Sequence, residues 1–113
     1  MIHVFLDDFR KCPTGFVHAQ NAEECNMLID SESIDILSLD YDLGWGQPTG
    51  YDVVRHLIAS GRYPRHIYLH TSSVAGRQQM YHLLYANIPF TTALHNGPMP
   101  QELMDGIASK PAP

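Results

Sequence analysis

The chain has 113 residues, with 7 Lys and Arg, 12 Asp and Glu, 7 His and 2 Cys. That length supports one domain around one core, and 44% apolar against 17% charged residues excludes a disordered chain. No apolar run approaches the roughly 18–20 residues that cross a bilayer, and a formal charge of −5 disfavours wrapping of duplex nucleic acid, which needs a basic face.

The first segment, Ile2 to Leu6, is a short apolar run of strand formers ending in the acid pair Asp7-Asp8. It lacks the basic region and the length of a signal peptide, so a cytoplasmic location is expected. Phe16 to Ala19 is a second, weaker strand candidate. Asn21 then reads as a helix N-cap with Glu24 as its capping-box partner, and Ala22, Cys25, Leu28 and Ile29 share one face at helical spacing. Ile34 to Leu39 is a third strand candidate, running into Asp40-Tyr41-Asp42-Leu43-Gly44. A turn-rich loop with Gly44, Gly46, Pro48 and Gly50 follows. Val53, Val54, Leu57 and Ile58 restore helical spacing, with Gly61 as the stop. His66 to His70 is the fourth strand candidate. Thr71-Ser72-Ser73 can cap the next helix, which turns Met80, Leu83, Leu84 and Tyr81 inward. Thr91 to His95 makes a short fifth strand, and a last helix carries Leu103, Met104 and Ile107. Cys12 and Cys25 have neither metal-ligand spacing nor a disulfide framework and read as reduced, structural thiols.

Strands alternating with helices predict a parallel sheet with helices on its faces. Ligands bind such sheets beyond the carboxyl ends of the strands, and the polar residues collect there. Asp7 and Asp8 follow the first strand, Asp40 and Asp42 the third, and His70, Thr71 and Ser72 the fourth. Carboxylates gathered at one edge repel one another unless a cation or a proton compensates. A hard ion such as Mg²⁺ suits oxygen donors and keeps waters that a phosphate oxygen can replace, so Asp7, Asp8 and Asp40 are the expected metal ligands. Singly, each acid also suits a role capping a turn or a helix. His70 is placed for general acid–base work, or for a backbone bond that merely satisfies it. Thr71 and Ser72 can bond a phosphoryl oxygen at the next helix N-terminus. Arg10 and Arg77 can give bidentate contacts to phosphate, or pair with carboxylates. His95, at the end of the fifth strand, is a further candidate. Trp45 lies in a loop that lacks the Walker ending, placed to stack on a base, to bury against a neighbouring chain or to pack.

The acid pair Asp7-Asp8, Asp40 after the third strand and Thr71 after the fourth resemble the receiver domain of bacterial response regulators. That resemblance implies a flavodoxin-like fold of five parallel strands, with Mg²⁺ ligands at the acid pair, a phosphoacceptor at Asp40 and a switch hydroxyl at Thr71. Two features depart from it. Asp8 to Gly15 leaves too little chain for the usual first crossover helix, so that helix is expected to be short or missing. His95-Asn96-Gly97-Pro98 stands where receivers carry a lysine. The stretches Val4-Phe5-Leu6-Asp7-Asp8, Asp35 to Gly44, Thr49-Gly50-Tyr51-Asp52 and Ile67 to Ser72 resemble, more closely, the cyclic-phosphate-processing receiver domains. The expected organisation is one receiver-like domain over residues 1–109 with a frayed tail at 110–113.

The resemblance implies handling of a nucleotide or RNA end that carries a cyclic phosphate. His70, Asp40 and Thr71 would then be catalytic, and Thr71, Ser72, Arg77 and Arg10 would hold phosphate. Asp42 and His95 are further candidates. The alternatives are a stand-alone signalling module phosphorylated on Asp40, and a non-catalytic interaction module. The expected partner is a small phosphate-bearing ligand, with no membrane, and oligomeric state stays open. His70-Thr71-Ser72 supplies only one copy of the two-histidine phosphoesterase element. Haloacid-dehalogenase chemistry needs its Asp-x-Asp after the first strand, and Asp40-Tyr41-Asp42 lies elsewhere.

Overall fold

A computed structural model describes residues 1–110. The apolar runs form strands β1 (Ile2–Leu6), β2 (Val17–Ala19), β3 (Ile34–Leu39), β4 (His66–Leu69) and β5 (Ala93–His95). Between them lie helices α1 (Ala22–Ser31), α2 (Gly50–Ser60), α3 (Val74–Asn87) and α4 (Gln101–Ala108). All neighbouring strands pair in parallel, in the order β2-β1-β3-β4-β5. This is the flavodoxin-like order. Residues 111–113 of the expected tail at 110–113 lie outside the described residues. No helix among the described residues is long and apolar enough to cross a membrane.

Helices α1, α2 and α3 cover one face of the sheet. Val4, Leu6, Leu37, Leu39, Ile67 and Leu69 pack there against Cys25, Ile29, Val53, Val54, Leu57, Met80 and Leu84. Burial pushes the Cys25 thiol up to about 12, and both cysteines are free. The other face has α4 as its only helix among the described residues. A smaller cluster of Phe5, Ile36, Tyr68, Met99 and Ile107 lies under α4 and the β1–β2 loop, with Cys12 and Phe16 packed at its side.

The crossover from β1 to β2 contains no helix. Its shortness is geometrically feasible because β2 pairs only with Val4 to Leu6. The chain has to return about 10 Å along the sheet, roughly three strand residues. The loop folds locally, with Phe16 N–H bonded to the Pro13 carbonyl and the Phe16 ring packed on His3 at 5.3 Å.

Local signals explain most boundaries. The Asn21 side chain accepts from Glu24 N–H at 2.9 Å. The Glu24 carboxylate reaches Gln20 N–H instead of the N-cap amide, so the expected capping box is displaced by one residue. Thr49 and Asp52 form a reciprocal box on α2, and Gly61 ends that helix at φ 68°. Ser73 caps α3 through Gly76 N–H. Strand β5 is shorter than expected, because Thr92 turns its hydroxyl to the Pro64 carbonyl, buried at 2.9 Å.

Gly50 fixes how closely α2 approaches the acid edge. Its N–H bonds the Tyr41 carbonyl at 2.8 Å. A Cβ at this position would lie 2.0 Å from the Asp40 carbonyl oxygen and 2.9 Å from Met80 Sδ. Gly50→Ala should therefore destabilise the fold by about 2 kcal/mol or more, through backbone displacement at Asp40. Urea unfolding is the check, and an unchanged midpoint would contradict this packing.

Candidate functional site

Side chains alternate across a strand, so Asp7 projects beyond Phe5, Asp40 beyond Ser38, and His70 beyond Tyr68 on the thinly covered face. Three strand ends thus bring two acids and an imidazole together. Asp7, Asp40 and His70 offer ligand atoms all within 4.8 Å of one another, and they are the sole such group of three among the described residues.

The Asp7 side chain is fully buried. Its Oδ1 accepts from the backbone N–H groups of Phe9 and Arg10, both at 2.8 Å. Its Oδ2 accepts from Arg10 Nη1 at 2.9 Å and faces His70 Nε2 at 3.0 Å. The backbone of Asp7 is held as well, donating to the Ala19 carbonyl and accepting from His18 Nε2 at 2.7 Å. Burial alone would raise the Asp7 carboxyl. The two backbone amides, Arg10 and His70 together outweigh it and hold the group below the usual carboxylate range.

His70 lies between Asp7 and Ser38, whose hydroxyl is 2.7 Å from Nδ1. An ionised carboxylate only accepts, so Nε2 carries the proton toward Asp7 and Nδ1 accepts from Ser38. The ring stacks on Phe5 with centroids 4.4 Å apart. Its side chain is 7% exposed, so His70 is a fixed, shielded group and not an open rim residue. Burial pushes its pKa down, and Asp7 opposes that shift.

Asp40 is buried too, and burial raises its carboxyl above the usual range, with the Asp7 charge adding to the rise. The Thr71 hydroxyl and Tyr41 N–H favour its ionised form. Arg10 Nη1 also reaches Asp40, at 3.5 Å. Arg10 is therefore the cation that the acid edge requires in this structure. It pairs with carboxylates, the alternative fate weighed for it above.

Two clefts meet at Arg10. The larger, about 600 Å³, is lined by Asp7, Asp8, Asp40, Asp42 and Ser72, with Phe9, Trp45 and their glycine-rich neighbours at its rim. The smaller, about 260 Å³, lies over the thin face and is lined by His70, Arg10, Lys11, Phe5 and Met99 among others. Asp8 and Asp42 are exposed rim residues, and Asp42 Oδ1 accepts from Gly44 N–H. Arg77 lies outside both clefts, with Nη1 bonded to the Asn96 carbonyl at 3.2 Å. His95 stacks on Tyr68 at 4.1 Å and faces His66, away from the acids. Sequence reasoning missed Ser38 and Phe9. A lone serine two residues before Asp40 in an apolar strand is the available signal for Ser38. No local pattern marks Phe9.

A family profile described as the cyclic-phosphate processing receiver domain matches residues 2–86. The chain belongs to that family. The match spans β1 to nearly the end of α3 and takes in every acid of the site together with His70. No curated protein and no solved structure matches the chain. This cyclic-phosphate processing receiver domain gathers its acids at the carboxyl edge of the sheet, with no helix in its first crossover and with Arg10 between Asp7 and Asp40.

Opposite effects are expected from removing the two buried charges. In Asp7→Asn the amide would face the Arg10 and His70 donors, which costs on the order of 3 kcal/mol. In Asp40→Asn a strained charge is removed while the Tyr41 contact remains, so stability at neutral pH should rise by up to about 1 kcal/mol. A raised acid pKa means the folded state binds more protons than the unfolded one, so wild-type stability falls as pH rises from the ordinary carboxylate value through the Asp40 value. The advantage of Asp40→Asn should be greatest above that window and fade below it. Thermal unfolding from pH 3 to 8 checks both signs.

Proposed function

We propose that this domain hydrolyses a phosphodiester of the 2′,3′-cyclic kind, on a nucleotide or an RNA end, with the help of Mg²⁺. The observation that carries the proposal is the His70 imidazole, fixed by Ser38 and Phe5 and aimed at Asp7 beside a second carboxylate. A phosphorelay has no need of a positioned imidazole. The family's description points to the same chemistry.

The donor set fits the ion. Asp7 and Asp40, whose oxygens lie within 4.8 Å of each other, would hold Mg²⁺ through hard oxygens, with Asp8 turning in from the rim and waters completing the shell. When bound, the ion would polarise a phosphoryl oxygen and offset the charge of the pentavalent transition state. Both Asp7 oxygens are already bonded, so the Arg10 side chain has to leave first. That side chain is 43% exposed and needs only to swing toward solvent. An incoming phosphate attracts it, which leaves His70 Nε2 as the remaining partner of Asp7 Oδ2. Thr71 and Ser72 would then bond phosphoryl oxygens at the start of α3. In the reaction, water adds to phosphorus, one ring P–O bond breaks, and the freed ribose oxygen takes up a proton. For His70 to deliver that proton, its Nε2–H would exchange Asp7 Oδ2 for the ribose oxygen, while Nδ1 stays bonded to the Ser38 hydroxyl, which keeps the proton on Nε2.

The signalling alternative places a phosphoryl group on Asp40. It has less support, because Asn96 and Gly97 follow β5 where a lysine would be needed, and Arg77 reaches only Asn96. Incubation with Mg²⁺ and acetyl phosphate separates the two. A phosphoryl adduct lost in Asp40→Asn would favour signalling.

The expected outcome is Mg²⁺-dependent opening of 2′,3′-cyclic nucleotides to phosphomonoesters, followed by chromatography. His70→Ala should lower the rate by about 10²- to 10⁴-fold. Arg10→Ala should tighten Mg²⁺ binding in calorimetry, because it removes the competing cation, while weakening binding of the cyclic phosphate. No turnover across a panel of cyclic and linear phosphoesters would overturn the proposal.

A further inference from the structure

The acid cleft has an aromatic rim that neither the fold nor the proposed proton transfer uses. Phe9 is 91% exposed and Trp45 100% exposed, and both line the same cleft as Asp7, Asp8 and Asp40. Rings of this size are ordinarily buried, in a core or by a partner molecule.

Their placement is built into two facing loops. Phe9 follows Asp8, and its own N–H is pinned to Asp7 Oδ1. Trp45 sits at the second position of a turn closed by Gln47 N–H on the Gly44 carbonyl at 3.2 Å. Gly46 occupies the third position at φ 73°, a conformation that favours glycine there. A Cβ on Gly44 would lie 3.4 Å from Asp8 Oδ2, so the loops are neighbours across the cleft. One aromatic therefore stands on each loop, beside the acids.

We infer that Phe9 and Trp45 form a nucleobase subsite, so that the domain selects cyclic phosphates carried on a nucleoside over those without a base. This rests on the phosphate reading above and deepens it. Stacking supplies an attraction that charge does not. The cleft holds four aspartates against Arg10, so a ligand anion gains little there from unaided electrostatics. A base on an aromatic ring contributes affinity independent of the metal and tolerant of base identity. A cleft of about 600 Å³ lies within the range of sites that enclose small ligands.

Trp45 is the single tryptophan, so its fluorescence reports on this subsite alone. The wild-type protein, with Mg²⁺, is titrated with uridine 2′,3′-cyclic phosphate and with glycerol 1,2-cyclic phosphate, which has no base. Binding of each is measured by calorimetry and Trp45 emission is followed in parallel. The expected result is tighter binding of the uridine compound with quenching by it alone. Trp45→Ala and Phe9→Ala should each reduce that preference by roughly tenfold. Neither exposed side chain supports the core, so both variants should keep the wild-type circular dichroism and melting temperature. Equal binding of both compounds with no quenching would overturn the subsite and leave the phosphate reading standing. A preference that survives both substitutions would do the same. Binding of neither compound would overturn both. Emission that shifts with protein concentration in the absence of ligand would assign Trp45 to self-association and overturn the subsite.

Discussion

The Asp7 carboxylate accepts from two backbone amides, a guanidinium and an imidazole in a place closed to water. Each donor does something different. The amides of Phe9 and Arg10 bend the chain out of β1 and start a crossover that has no helix. Arg10 brings a positive charge back over the acid edge. His70 ties that edge to β4 and, through Ser38, to β3. A buried ionised carboxylate without these partners would be untenable. Loop path, local charge balance and imidazole orientation are thus consequences of one group.

The short crossover also shapes the chemistry. A helix on this face would cover the sheet, as α1, α2 and α3 cover the other. In its place a loop of Asp7 to Phe16 leaves a small cleft over Phe5 and His70, separated from the acid cleft by the Arg10 side chain. The acids therefore face one opening and the imidazole another. Under the proposed function Arg10 is both the partition and the part that moves, because it exchanges carboxylates for a phosphate. The exposed ends of the same loop and of the β3–α2 loop carry the aromatics.

The fold was largely legible. β3 is bounded by the polar Ser31-Glu32-Ser33 on one side and Asp40 on the other, so its ends coincide with the strand-forming run. Gly61 marked the end of α2 because the left-handed conformation there favours glycine. The meeting of Asp7, Asp40 and His70 was legible once the strands were taken as parallel, because strand direction alone sends all three to one edge. The finer contacts were not. Arg10 pairs with Asp40 across thirty residues of sequence, and no local rule decides between a carboxylate and a phosphate for its guanidinium. Ser38 reads as an ordinary strand residue until β4 is placed beside β3. Arg77 and His95 lie near the expected edge in sequence, but side-chain direction takes them to Asn96 and Tyr68.

The central claim is that Asp7 and Ser38 hold His70 as the shielded, Nε2-protonated tautomer. Long-range ¹H–¹⁵N spectra of the histidine rings, with Ser38→Ala and His70→Ala used for assignment, test it most directly. The account predicts a neutral ring at pH 7 with a slowly exchanging proton on Nε2 and an unprotonated Nδ1. A Nδ1-protonated ring, or one averaging freely between both forms, would contradict it.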